Sequence, residues 1–371
     1  MSSSAILDIV LREFARTDPA VIYTFLFLTI AFVSGRLGNA AFLLAWPALG
    51  LAFGFGGGER RPLWAWACVI AVILSSLLAV WGAQQVWGQG HTGLTLSIAL
   101  WMAPMVLLFP LRLSLSLFSL LIPVFTVHAG LVIGQGIYLH QRASGLIHNP
   151  NLAAGMLVLG LTYCLTSPRY RLWAVPMIVA LPFTGSRWGS LVALGLIGLI
   201  WLLKQTNWRP IMASLAIVTA TIWLTWYLIP ENYRLLESIG ASVDRATYDT
   251  FHRLRAEDFT WTGLPMGVNG SDGIHSVAVR IFVEWGALAA VAWAGLTGYC
   301  LLRRPWGTAA WWLLLAWTGL GILDYYPIMG HFAAWWFVLT GMRLKEASKG
   351  AVPDLPDHGC NHWSRSTGGS G

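Results

Sequence analysis

Apolar runs long enough to cross a bilayer, about 17 to 25 residues each, recur along most of the chain with only short polar breaks between them. About twelve such runs centre near residues 26, 47, 72, 102, 123, 158, 178, 196, 219, 290, 315 and 335. The seventh and eighth are short and separated only by Gly185, Ser186 and Arg187, and the twelfth is interrupted by Gly330 and His331. The longest polar stretch runs from Glu231 to His275, where Tyr248, Phe251, Leu254 and Phe259 fall at near-helical spacing before Gly263, Pro265, Gly267 and Gly270. This spacing predicts a short amphipathic helix lying over the membrane. The pattern as a whole predicts an all-α polytopic membrane protein. Its expected divisions are a terminal segment at 1–17, nine transmembrane helices over 18–229, an outer loop at 230–275, three transmembrane helices over 276–342 and a tail at 343–371. No internal repeat marks an inverted-repeat transporter.

Composition supports that class. Of 371 residues, 56% are hydrophobic and only 11% charged, with 22 Trp and a mean hydropathy of +0.63, whereas about a quarter of a soluble domain is charged. Disorder is excluded by the same figures, since it needs low hydrophobicity and high charge. The net charge of +7 does not point to nucleic acid, because the basic residues stand singly between apolar runs and read as topology signals. With a cytoplasmic N-terminus, the cytoplasmic side collects Arg12, Arg16, Arg60, Arg61, Arg112, Arg169, Arg171, Lys204, Arg209, Arg303, Arg304, Arg343, Lys345 and Lys349. The opposite connections carry few positive charges, which fixes the expected orientation with both termini inside. The start has no cleavage site after its short apolar stretch and is not read as a signal peptide, and the STGGSG end reads as a flexible linker. Cys68, Cys164 and Cys300 lie in apolar runs and Cys360 in the tail, so structural thiols are expected rather than disulfides or a metal site.

Three arginines break the charge rule by falling in short outer connections: Arg36, Arg142 and Arg187. A positive charge retained there either snorkels to lipid phosphate or binds an anion, and Arg36 is open to both readings. In QRASGLIHNPNLAAG, residues 141–155, Asn149 followed by Pro150 is a helix start in which an amide oxygen caps a free N–H. Plain capping accounts for Asn149, but not for Arg142 just upstream, and a helix N-terminus beside an arginine suits a phosphate. Asn151 belongs to the same candidate contact set. In TGSRWGS, residues 184–190, Arg187 sits in a tight turn, and a guanidinium fits a diphosphate bidentately. In GIHSVAVRIFVEWG, residues 273–286, His275 stands where the outer loop meets the next apolar run and can serve as a general base, or simply start the helix. Arg280 and Glu284 are one helical turn apart and are read as a buried structural pair. No Asp or Glu occurs between Glu59 and Glu231, and the loop has no DxD pair, so no metal and no other cofactor is expected.

Taken in order, RASGLIHNPNLAAG, TGSRWGSLVAL, and a long outer loop closed by a histidine before the Glu284–Trp285–Gly286 of the next run resemble the O-antigen ligase and polymerase superfamily. The likeness covers about residues 135–295. It implies a C-type glycosyltransferase-like fold of about twelve helices with a short helical periplasmic loop domain, in a bacterial inner membrane. It implies an undecaprenyl-diphosphate-linked glycan as donor, Arg142 and Arg187 as diphosphate binders, His275 as the base, and a loop arginine among Arg245, Arg253 and Arg255 as a further contact. Ser276 stands where the family often has Asn after the histidine, and the outer loop is short for the family. The acceptor separates the members: lipid A-core for a ligase, a second lipid-linked repeat unit for a polymerase, a protein hydroxyl for an oligosaccharyltransferase. The ligase is the expected member, with the polymerase as the alternative; that no further soluble domain follows the last run weighs against the protein-glycosylating branch. A twelve-helix transporter or flippase is the rival class; it predicts charges near mid-membrane and related halves, against arginines gathered at one face.

Overall fold

The computed structural model describes residues 17–37, 45–56, 58–87, 106–147, 149–204, 216–217, 219–220, 276–322 and 333–348. Among them the chain is helical, and the sole β-pairing is an isolated antiparallel bridge between Gly58 and Leu111. Helices α1 (Pro19–Leu37), α2 (Ala45–Gly56), α3 (Leu63–Trp87), α4 (Ser116–Leu139) and α5 (Pro150–Thr166) are followed by a 3-10 segment at Pro168–Trp173. Then come α6 (Ala174–Phe183), α7 (Arg187–Lys204), α8 (Val277–Leu302), α9 (Ala309–Leu320) and α10 (Ala333–Ser348).

Among the described residues two helices are long and apolar enough to cross a membrane, α4 with 24 residues and α8 with 26. The apolar runs centred near 47, 178 and 315 become shorter helices: α2 has 12 residues, α6 has 10 and α9 has 12. At 1.5 Å per residue, 12 residues rise about 18 Å against a hydrocarbon core of about 30 Å. The runs near 178 and 315 extend past α6 and α9 because hydropathy does not register where the backbone leaves the α-helix, whereas residues 38–44 and 57 beside α2 lie outside the described residues. Pro168–Trp173 tightens to 3-10 before α6, the turn at Thr184 follows it, and α9 starts only at the side-chain cap of Thr308. The runs near 102 and 219 and the loop over 230–275 lie outside the described residues, apart from four helical positions between 216 and 220.

Helix α5 forms the centre. Its described face is buried almost all round, from Leu152 to Cys164, and it packs against α4, α6, α7 and α9, while α8 lies on α3 and α10 lies on α9 and α8. A helix apolar on every side is expected where neighbours cover it completely. Cys164 and Cys300 are buried free thiols; Cys68 is only half-buried, on the less covered helix α3, and Cys360 is outside the described residues.

Among the described residues, Arg61 and Arg343 of one set of basic residues separate in space from Arg142 and Arg187 of the other. At one end of the bundle Arg61 pairs with Glu59 at 2.8 Å and donates to the carbonyls of Phe109 and Leu111 at 3.3 Å each. Burial draws its guanidinium below the ordinary arginine range, and Glu59 pulls it back up. Arg343, fully buried, donates there to the carbonyls of Cys300 at 3.1 Å and Arg303 at 2.7 Å and pairs with Glu346 at 2.6 Å. Arg142 and Arg187 belong to the other end, described below. Between the ends, Arg280 and Glu284 form the expected pair, 2.9 Å apart with side chains 5% and 2% exposed. The pair spans a π-helical turn, Ile281–Trp285, which closes on Gly286 at φ 86° and ψ 171°, a conformation essentially confined to glycine.

Candidate anion site

Helix α4 ends at His140, whose backbone turns left-handed with φ 51°, and the chain then runs back across the bundle towards α5. Two bonds fix its course: the Ala143 N–H donates to the Phe183 carbonyl at 2.9 Å, and Arg142 Nε donates to the Thr184 carbonyl at 3.0 Å. Arg142 Nη2 also donates to Asn151 Oδ1 at 2.8 Å. One exposed guanidinium therefore ties the end of α6 to the first turn of α5.

Both neighbouring helix starts are built from local chemistry. Asn149 has extended backbone, φ −117° and ψ 123°, and its Oδ1 accepts from the N–H groups of Asn151 at 2.8 Å and Leu152 at 3.4 Å, with Pro150 at the first helical position. The capping role read from the sequence is thus present, and Asn151 contributes the oxygen that holds Arg142. At α7, Thr184 Oγ1 accepts from the Ser186 N–H at 3.1 Å, Gly185 turns at φ 62°, and Ser186 Oγ accepts from the Gly189 N–H at 3.3 Å. Arg187 is consequently the first helical residue of α7 rather than part of the turn before it, because Ser186 takes the capping position. The two helices cross close below these ends: a Cβ on Gly189 would lie 2.8 Å from Cβ of Ala154, so only glycine permits the approach.

The result is two helix N-termini meeting at one corner, flanked by Arg142 and Arg187. Each presents the positive end of a helix dipole; at α5 Pro150 has no N–H and the next three N–H groups are taken by Asn149, and at α7 Ser186 accepts those of Gly189 and Ser190. Helices commonly offset this with Asp or Glu in the first turn, but neither α5 nor α7 has one, and the chain has no carboxylate between Glu59 and Glu231. A corner so arranged favours an anion.

Helices α8 and α9 reach the same corner. Trp188 Nε1 donates to the carbonyls of Gly319 at 3.0 Å and Leu320 at 3.1 Å, and the Val277 N–H donates to the Gly321 carbonyl at 2.8 Å. The start of α8 is thereby tied, through the end of α9, to the residue next to Arg187. His275 lies just before this start and outside the described residues, as do Arg245, Arg253 and Arg255. Arg36 falls in the last turn of α1, with its side chain outside what is described. Among the described residues, no three His, Cys, Asp or Glu side chains gather to hold a metal ion.

Comparison with protein-family models, curated proteins and solved structures gives no match. Three residues important to the corner were not singled out from the sequence: Trp188, His128 and Gln135. Trp188 gave no signal beyond its place beside Arg187. His128 and Gln135 did, as isolated polar side chains two turns apart in the apolar run LIPVFTVHAGLVIGQG.

Proposed function

We propose that this chain is a polytopic inner-membrane glycosyltransferase of the O-antigen ligase type, transferring a glycan from undecaprenyl diphosphate to a hydroxyl of lipid A-core at the periplasmic face. The observation that carries this reading is the corner where two helix N-termini without first-turn carboxylates meet between Arg142 and Arg187. Two membrane-length helices and the separation of basic residues to opposite ends of the bundle support the membrane setting. The placement of Arg142 and Arg187 together at one end of the bundle weighs against a transport path lined by charges at mid-membrane.

In the proposed reaction the donor diphosphate lies against Arg142 and Arg187, with Asn149 and Asn151 shaping the α5 side and a loop arginine, Arg245, Arg253 or Arg255, closing the other. His275 accepts the proton of the acceptor hydroxyl. The hydroxyl oxygen bonds to the anomeric carbon as the bond from that carbon to the diphosphate oxygen breaks, inverting the centre. The diphosphate leaves with the electron pair, and the fixed positive groups stabilise its growing charge. No step in this scheme needs a metal or cofactor.

The test is reconstitution of the full chain in liposomes with a lipid-linked repeat-unit donor, with and without lipid A-core. Glycosylated lipid A-core as the sole product supports the ligase. Chain extension with donor alone would make the protein a polymerase, and no product in either arm, with a donor competent for a control enzyme, would overturn the transferase reading.

A further inference from the structure

Helix α4 carries a histidine in its apolar interior that the proposed reaction does not use. His128 is fully buried. Its Nδ1 accepts from the Leu146 N–H at 3.1 Å, and its Nε2 lies 3.4 Å from the Ala153 carbonyl. A carbonyl only accepts, so these contacts together select the tautomer carrying hydrogen on Nε2. One ring thus joins the segment after Arg142 to the first turns of α5. Gly145 rests on the imidazole: its φ is 57°, and a Cβ there would lie 2.5 Å from Nδ1.

Gln135 holds the same segment from two turns further along α4. Its Oε1 accepts from the N–H groups of Ser144 at 3.3 Å and Gly145 at 2.9 Å, and its Nε2 donates to the Gly145 carbonyl at 3.2 Å. Backbone groups of a non-helical segment packed inside apolar surroundings each need a partner. His128 and Gln135 supply them where no strand or helix does. The segment so held begins at Arg142 and ends at the Asn149 cap.

We propose that His128 is a positioning residue: it fixes residues 143–147 against α5 and so sets Arg142 and the Asn149 cap at the register that makes the anion corner. This deepens the donor-site reading and rests on it for its catalytic consequence, while the positioning itself does not. The burial of the ring and the engagement of both nitrogens place His128 beyond contact with a substrate at the corner, so it acts through the segment it holds.

The experiment uses the full chain in nanodiscs and three variants, with amide hydrogen exchange on peptides covering 143–147 and steady-state transfer from a lipid-linked donor. His128→Leu removes both ring contacts. His128→Asn keeps an acceptor where Nδ1 stands, and Gln135→Met removes the second holder. Exchange in 143–147 is expected to rise about tenfold in His128→Leu and Gln135→Met, the loss of a buried hydrogen bond, and to return close to wild type in His128→Asn. In the transfer assay the Leu variant is expected to lower kcat/KM for the donor by about tenfold, since Arg142 is shifted but not removed, and the Asn variant to restore it. Unchanged exchange in His128→Leu overturns the proposal, as does unchanged kcat/KM in that variant or a failure of Asn to restore protection. If His128→Leu does not fold, His128→Asn and Gln135→Met decide it by the same exchange readout. Exchange needs no substrate, so a wild-type protein that shows the expected exchange pattern but transfers nothing would refute the transferase reading and leave the positioning role standing.

Discussion

Replacing Arg142 separates what this residue does for the fold from what it does for the donor. Its guanidinium spans two acceptors, with Nε 3.0 Å from the Thr184 carbonyl and Nη2 2.8 Å from Asn151 Oδ1. Lysine has a single nitrogen and cannot bridge them, so Arg142→Lys tests the fork and Arg142→Ala tests the charge as well. The side chain is exposed, and water replaces the lost bonds, so the stability cost belongs at the low end of about 0.5 to 1.5 kcal/mol per bond. That corresponds to a fall in Tm of no more than about 4 °C. A donor aimed at charge that grows on a leaving group is worth far more to the rate, about 100- to 1,000-fold or about 2.7 to 4 kcal/mol. Transfer from lipid-linked donor and thermal unfolding followed by tryptophan fluorescence measure the two effects side by side. Arg142→Ala is expected to lose at least about a hundredfold in transfer with a small Tm change, and Arg142→Lys to fall between it and wild type. Activity within about threefold of wild type, or activity lost in proportion to a large fall in Tm, would refute the assignment.

Other outcomes follow from the same geometry. Arg280→Ala leaves Glu284 buried without its partner and is expected to cost about 3 to 5 kcal/mol, whereas Arg280→Met combined with Glu284→Leu should recover most of it; thermal unfolding of the single and double variants checks this, and a double variant no better than the single would contradict a purely structural pair. Gly189→Ala forces a methyl to 2.8 Å from Cβ of Ala154 and is expected to destabilise by about 1 to 3 kcal/mol, with transfer reduced because α7 carries Arg187; a neutral substitution would mean that α7 and α5 do not cross this closely. If His275 is the base, His275→Ala should abolish transfer while leaving thermal unfolding largely unchanged, and unaltered activity would remove it from the reaction.

Local signals were the legible part of this sequence. Asn149–Pro150 announced the start of α5 because capping depends on neighbours two and three residues away, and the one-turn spacing of Arg280 and Glu284 announced their pair for the same reason. Sorting the basic residues by connection put Arg61 and Arg343 in a different set from Arg142 and Arg187, and these described members lie at different ends of the bundle. What remained hidden was contact over distance. Nothing around Arg142 indicates that its partners are Asn151 and the Thr184 carbonyl, 42 residues on, nor that Trp188 reaches Gly319 and Leu320. Helix length was also poorly legible, because hydropathy reads side chains, whereas α6 and α9 are bounded by a 3-10 turn and by the Thr308 cap. The expectations at His275, Arg245, Arg253 and Arg255 concern residues outside those described.

The central claim is that the corner between α5 and α7 holds the donor diphosphate. An experimental structure of the full chain in nanodiscs with undecaprenyl diphosphate bound tests it most directly. The account predicts diphosphate density at the N-termini of α5 and α7, within hydrogen-bonding reach of the Arg142 and Arg187 guanidiniums, with the lipid tail leaving towards the bilayer. Diphosphate seated at the opposite end, among Arg61, Arg303 and Arg343, or inside the bundle beside Arg280 and Glu284, would contradict it.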